Sequence, residues 1–375
     1  MTQTVRKERQ SNMELLRIVA MLMIITLHYL DKGNVLPGFT ESSTLNHHLA
    51  WWLEACCYGA VNLYVLISGY FMAESKFTFK KLAILWLQIL FYSWVIGVIC
   101  FATGLVGVEQ KSLYELIFIA FPVTSAHYWF ATVYVLLFAL SPFLNVCIAK
   151  MNRKQHKACI AVAVIVFSAW NTVLPFTNAL TDREGMDIPW FICLYVIAAY
   201  LKKYPDCIKG KKVWYLLGYF GCSTFVFLFG FGCILAEKTI GKLGGYATML
   251  YAYNSLAVLA SSLCLFVYFT KLKISGKGIG NVINTVAAAT FGVYLIHEHR
   301  YLRYLWPQWL GVEANADKSW MILHWFGSII LIFVLCAVLE WIRKRIFMLV
   351  TERQWFGKLF APLRKAEQMM NGDME

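Results

Sequence analysis

Charge is scarce in this chain: Asp, Glu, Lys and Arg make up 15% of its 375 residues, against 59% hydrophobic and 16% aromatic. A soluble protein of this length would divide into two or three domains with charged surfaces. So little charge excludes that and points to an integral membrane protein built as one helical bundle. Other absences narrow the chemistry. There is no phosphate-binding glycine loop, no G-x-S-x-G elbow and no H-E-x-x-H, which removes the nucleotide-loop, serine-hydrolase and zincin readings. None of the 11 cysteines forms a C-x-x-C. Most (Cys100, Cys147, Cys159, Cys193, Cys264, Cys336) lie inside apolar runs, where they read as small packing residues rather than disulfides or zinc ligands. His297-Glu298-His299 suggests a metal, but side chains two apart on a helix face different ways, so no metal is expected. There is no linker, internal repeat, low-complexity tract or appended soluble domain.

What is there is a series of ten apolar runs, at about 13–31, 50–73, 82–105, 128–149, 157–174, 188–201, 213–236, 247–270, 281–298 and 320–342. A bilayer core takes ~20 helical residues, and the run at 188–201 is short of that. Residues 112–122 are too short to cross and are expected to lie in the interface or re-enter. The net charge of +13 raises nucleic acid as a partner, but its distribution argues for topology. With ten spans, 25 of the 34 Lys and Arg residues fall on one side and 8 on the other, with Arg17 inside the first span. That bias puts both termini in the cytoplasm. The expected fold is therefore all-α and polytopic: a basic N-terminus (1–12), a bundle of about ten transmembrane helices in the plasma membrane (13–342), and a basic amphipathic tail (343–375) on the inner surface. The first run has a basic flank like a signal peptide, but its length, Arg17 and the lack of an A-x-A-type site mark a retained span.

That first span, NMELLRIVAMLMIITLHY from Asn12 to Tyr29, holds the most informative residues. Eleven helical steps from Arg17 to His28 are three turns plus roughly 20°, so both side chains share one face, ~16 Å apart along the axis. An arginine within a span costs ~2.5–3.5 kcal/mol on insertion scales, so it is expected to face protein interior or a watery cavity. Glu14, three residues earlier, is placed to pair with it. Besides His28, His127, His297 and His324 fall at the outer ends of other spans, where they can converge on a cavity. In Ser68-Gly69-Tyr70 the glycine is expected to permit close helix packing and the serine to bond to backbone.

A histidine able to take a proton, a cation below it and basic residues on the inner face suit acyl transfer from a phosphorylated carrier. The carrier's nucleotide would bind inner-face Lys and Arg, and its thioester arm would rise through the bundle, the Arg17–His28 separation resembling the reach of pantetheine. A neutral imidazole would then deprotonate an acceptor hydroxyl, with Arg17 as a fixed positive charge.

The residues also resemble the acyltransferase 3 family of polytopic membrane O-acyltransferases that decorate bacterial surface polysaccharides, over about 12–343. Arg17 and His28 match its R-x10-H signature, and Glu14 its acidic residue three before the arginine. VNLYVLISGYFM, HYWFATVYVLLFALSP (127–142) and ATFGVYLIHEH (289–299) are similar to its second-span, fourth-span and late-span motifs. The resemblance implies Glu14, Arg17 and His28 in catalysis. It implies acyl-CoA, most commonly acetyl-CoA, bound by Arg17, Lys80, Lys81, Ser68 and Tyr70, and a carbohydrate acceptor met by His127, Trp129, His297 and Glu298. The family's R-x-x-R pair reads here as Lys81 and Ile84, so one charge is missing and lysine lacks the planar fork. An alternative is a flippase or exporter of lipid-linked sugar, weakened by the lack of an inverted repeat and of matching broken helices.

Overall fold

The computed structural model describes residues 10–41, 44–106, 112–174 and 183–373; Ser43, Asp182 and Glu375 lie outside them. Among the described residues there are helices and turns and no strands. The chain runs through α1 (Ser11–Lys32), α2 (Leu45–Cys57), α3 (Ala60–Met72), α4 (Phe79–Ala102), α5 (Leu113–Ala120) and α6 (Trp129–Lys150). It continues through α7 (Arg153–Val164), α8 (Trp170–Val173), α9 (Ile188–Lys203), α10 (Lys212–Ile240) and α11 (Leu256–Thr270). The last part comprises α12 (Lys277–Ala287), α13 (Thr290–His297), α14 (Leu305–Trp309), α15 (Val312–Asn315), α16 (Met321–Thr351), α17 (Gln354–Lys358) and α18 (Arg364–Met370).

Side chains start several of these helices where the sequence supplies them. Thr44, Thr78, Ser112, Asp187 and Ser255 each accept from a backbone N–H in the first turn, and Asn152 with Gln155 closes a capping box on α7. α10 stops at Gly241, whose φ of +66° only glycine adopts freely.

Eight of these helical stretches, α2–α3, α7–α8 and α12–α13 each taken together, are long and apolar enough to cross a membrane. The runs at 188–201 and 247–270 fold instead into the 16-residue α9 and the 15-residue α11. α9 is short but central, buried along nearly its whole length beside α3, α6 and α7. The interfacial reading of 112–122 corresponds to the eight-residue α5, which lies along α4 with Ser93 Oγ donating to Ile119 O at 2.9 Å. The last apolar run does not end at 342: α16 continues to Thr351, carrying Arg343, Lys344 and Arg345.

α1 is the hub, packed against α2, α3, α11, α12, α13 and α16. By contrast α4, α7, α10 and α16 leave Val98, Ile99, Val162, Phe225, Leu228, Leu323 and Leu339 exposed, the apolar outer belt that lipid covers. α3 and α9 touch through Gly69, where an added Cβ would come within 3.0 Å of the Tyr195 backbone. The close packing foreseen for that glycine is there.

Contacts gather the basic loops at one end of the bundle. Asn12 Nδ2 donates to Phe269 O at 2.9 Å, Lys202 pairs with Glu74 at 3.6 Å, Arg153 with Asp206 at 2.6 Å, and Lys76 with Asp373 at 2.7 Å. The C-terminal segment is tied to this same end: Asn371 accepts from Phe77 N and donates to Phe77 O, and Glu367 accepts from Phe79 N. The opposite end is closed by Asn46 on the Ala316 and Lys318 carbonyls, and by Glu115 on Arg300 and Tyr301.

Candidate active site

α1 delivers His28 to the wall of a cavity of about 690 Å³ at the second of these ends. His28 Nδ1 lies 3.0 Å from His297 Nε2 and 3.3 Å from Glu298 Oε2, the latter a charge contact without hydrogen-bond geometry. His297 Nδ1 in turn lies 2.6 Å from Val293 O. A carbonyl oxygen only accepts, so that nitrogen carries the hydrogen, and in the neutral ring Nε2 presents a lone pair. His28 Nδ1 must then be the donor. This hydrogen-bond logic assigns the tautomer and leaves His28 Nε2 unprotonated, without a protein partner among the described residues. Glu298 is held from its other side by Arg303, Nη1 to Oε1 at 3.0 Å.

Trp129 and Glu298 line the same cavity as His28, and His297 backs His28 from the protein side. His127 is not part of it. The chain turns through Ala126 at φ +53° and places His127 against His299, ring centroids 4.8 Å apart, with Arg300 N 3.5 Å from its Nε2. Burial pushes both rings far below the usual imidazole range, to about 2 for His127 and about 3 for His299, so this pair is neutral. His324 also stands apart, bonded to Tyr29 Oη at 2.9 Å and Leu310 O at 3.0 Å. Of the four outer histidines, His28 and His297 meet while His127 and His324 stand apart, so they form no single cluster.

At the other end of α1, Arg17 Nη1 pairs with Glu14 Oε2 at 3.1 Å, and Tyr64 Oη donates to the Arg17 carbonyl at 3.1 Å. Beside the start of α1 lies a second cavity of about 530 Å³, walled by Ser11, Asn12, Lys277, Asn281 and Asn284.

With this geometry in hand, the family model for the acyltransferase domain matches residues 10–341, nearly the whole chain. The chain belongs to the acyltransferase 3 family. It is a membrane acyltransferase. No curated protein and no solved structure matches it.

In the acyltransferase the remaining sequence candidates have partners of their own. Ser68 Oγ donates to Tyr64 O at 2.8 Å, a helix back-bond, and reaches Tyr134 Oη at 3.4 Å. Tyr70 lies under Lys202, 4.5 Å from its ring. Lys81 Nζ donates to Lys76 O at 2.9 Å, and Lys80 sits over the Phe356 ring at 5.7 Å. These four residues are engaged by backbone, by Lys202 and by the C-terminal segment. The cavity also holds residues the sequence reading passed over: Asp31, Trp51, Glu54, Tyr58, Tyr251, Tyr253 and Arg303. Glu54 carried a readable signal, a carboxylate inside the apolar run 50–73, which is the same argument that singled out Arg17.

Proposed function

We propose that this acyltransferase moves an acyl group, most commonly acetyl, from cytoplasmic acyl-CoA to a hydroxyl of a cell-surface or lipid-linked polysaccharide, with His28 as general base. The observation that carries the reading is the hydrogen-bond chain from Val293 O through His297 to His28, which leaves the Nε2 lone pair of this cavity-lining residue free. The acceptor oxygen attacks the thioester carbonyl as Nε2 takes its proton; a C–O bond forms. The tetrahedral intermediate then expels the CoA thiolate, breaking the C–S bond, and His28 returns the proton to sulfur. Glu298, 3.3 Å from Nδ1, stabilises the imidazolium formed in between. Mass spectrometry of surface polysaccharide from cells with and without the protein tests this: an ester present only with it is the expected result.

The donor enters from the basic end in this reading, supported by the cavity beside Lys277 and by the bias of Lys and Arg to that end. Arg17 holds donor phosphate or orients the arm. Arg17→Ala is expected to weaken acyl-CoA binding and to destabilise the protein, because Glu14 is left without its partner in a low-dielectric setting. Arg17→Lys restores charge without the planar fork and should rescue folding better than activity. Equal acyl-CoA affinity in wild type and a well-folded Arg17 variant would remove Arg17 from the donor site.

The same reading requires the basic end to face the cytoplasm. Single cysteines at Asn12, Lys154, Lys209 and Glu375, on a cysteine-depleted background, should resist a membrane-impermeant thiol reagent in intact cells. Those at Ser43, Asp182 and Asn315 should label. Labelling at Lys154 overturns the orientation.

A further inference from the structure

Glu54 reaches the outer cavity from α2, is 7% exposed, and its Oε2 has no hydrogen-bond partner. The charges that act on it are those of Asp31 and Lys32, which are paired with each other at 2.5 Å. Three residues earlier on the same helix face, Trp51 lines the same cavity, and its Nε1 is likewise buried without a partner. Two adjacent side chains therefore offer the cavity an unused acceptor and an unused donor. Aromatic rings flank them: Tyr58 against Tyr253 at 5.1 Å, and Trp129 stacked on Tyr253 at 5.8 Å. Tyr251 is not available in the same way, since its hydroxyl donates to Trp51 O at 3.1 Å.

A buried carboxyl oxygen without a partner costs the resting protein a hydrogen bond. Buried polar groups normally have partners, and an orphan in a cavity wall marks a place where a ligand supplies one. The chemistry of this pair is specific. A carboxylate has about four lone-pair sites and takes two neighbouring hydroxyls at once, while an indole N–H only donates, to a ring or hydroxyl oxygen. Aromatic faces beside them suit the C–H face of a saturated ring. We propose that Glu54 and Trp51 form the acceptor-holding subsite of the cavity, gripping neighbouring hydroxyls of a saturated polyhydroxylated ring so that another hydroxyl meets His28 Nε2. The proposal rests on the acyl-transfer reading of His28, and it adds residues that hold the acceptor rather than react with it.

The test uses the full chain in lipid nanodiscs with methyl α-glucopyranoside as probe and cyclohexylmethanol as the hydroxyl-poor control. Glu54→Gln keeps size while removing the carboxylate; Trp51→Phe keeps the ring while removing the N–H. With acetyl-CoA as donor, both variants should raise the KM for the sugar, ~10–100-fold for Glu54→Gln, as for a lost hydrogen bond to a charged group. The KM for acetyl-CoA should not move. Binding of the sugar, followed by saturation-transfer NMR, should be lost in both variants and kept in His28→Gln. Sugar binding equal to wild type in either variant, or no preference of wild type for the sugar over cyclohexylmethanol, overturns the subsite. Sugar bound through Glu54 with no ester formed by wild type overturns the acyl-transfer reading and leaves the subsite standing.

Discussion

Replacing His28 with alanine is expected to cut acyl transfer by ~10²–10⁴-fold, the usual contribution of a positioned general base, while the protein stays inserted and monodisperse. His28→Gln retains hydrogen bonding but an amide cannot accept and release a proton, so it should be nearly as poor. His297→Leu should retain part of the activity and lose the fixed tautomer, since His28 Nδ1–H then has no lone pair at 3.0 Å to hold it. An exporter predicts a different outcome for His28→Ala: surface polymer falls, and whatever appears is normally modified. The deciding measurement is both polymer amount and ester content at matched expression. Intact polymer stripped of ester excludes the exporter; lost polymer with intact ester excludes the acyltransferase chemistry assigned to His28.

The largest stability effect is expected at Glu340 on α16. Its carboxylate is fully buried, held by Arg343 through two bonds of 2.8 Å, by Tyr92 Oη at 2.7 Å and by Gln88 Nε2 at 3.2 Å. The opposing helix makes room with Gly292, where a Cβ would collide with the carboxylate. Glu340→Ala leaves Arg343, itself 6% exposed, as an uncompensated charge, and should cost ~3–5 kcal/mol. The double replacement Glu340→Met with Arg343→Met removes both charges and fills the space, so most of that loss should return. Thermal unfolding in a fixed detergent compares the variants. A double variant as unstable as Glu340→Ala would show that the bonds from Tyr92 and Gln88, rather than charge compensation, hold this junction.

Much of the fold was legible from one end of the chain to the other because lipid imposes a simple rule. Backbone groups must be satisfied within the helix, so spans appear as long apolar runs. Each of the ten apolar runs corresponds to one or more helices. Their exact extents were less legible, since α16 continues through its basic residues when Glu340 lies inside to meet Arg343. The short α9 read as a poor span because its apolar run falls short of a bilayer's thickness, and only packing shows it enclosed by protein. The packing of the C-terminal segment on the loop of Lys80 and Lys81 was not legible either, because the two lie almost three hundred positions apart in sequence.

By itself the sequence determined that this is a helical membrane protein, that Arg17 and His28 share a face of its first helix with Glu14 beside the arginine, and which family it belongs to. These are properties of one helix at a time or of ordered local motifs, and helical periodicity is enough to read them. Tertiary structure decided which histidine meets which. His28 receives its partner from residue 297 and its neighbouring carboxylate from residue 298, whereas His127 is turned to His299 and His324 to Tyr29. It also decided that Glu54, unremarked in an apolar run, faces the same cavity as His28. The physical reason is that a side chain's direction around its helix is local, but what it faces depends on how that helix is rotated against its neighbours, and packing across hundreds of residues sets that rotation.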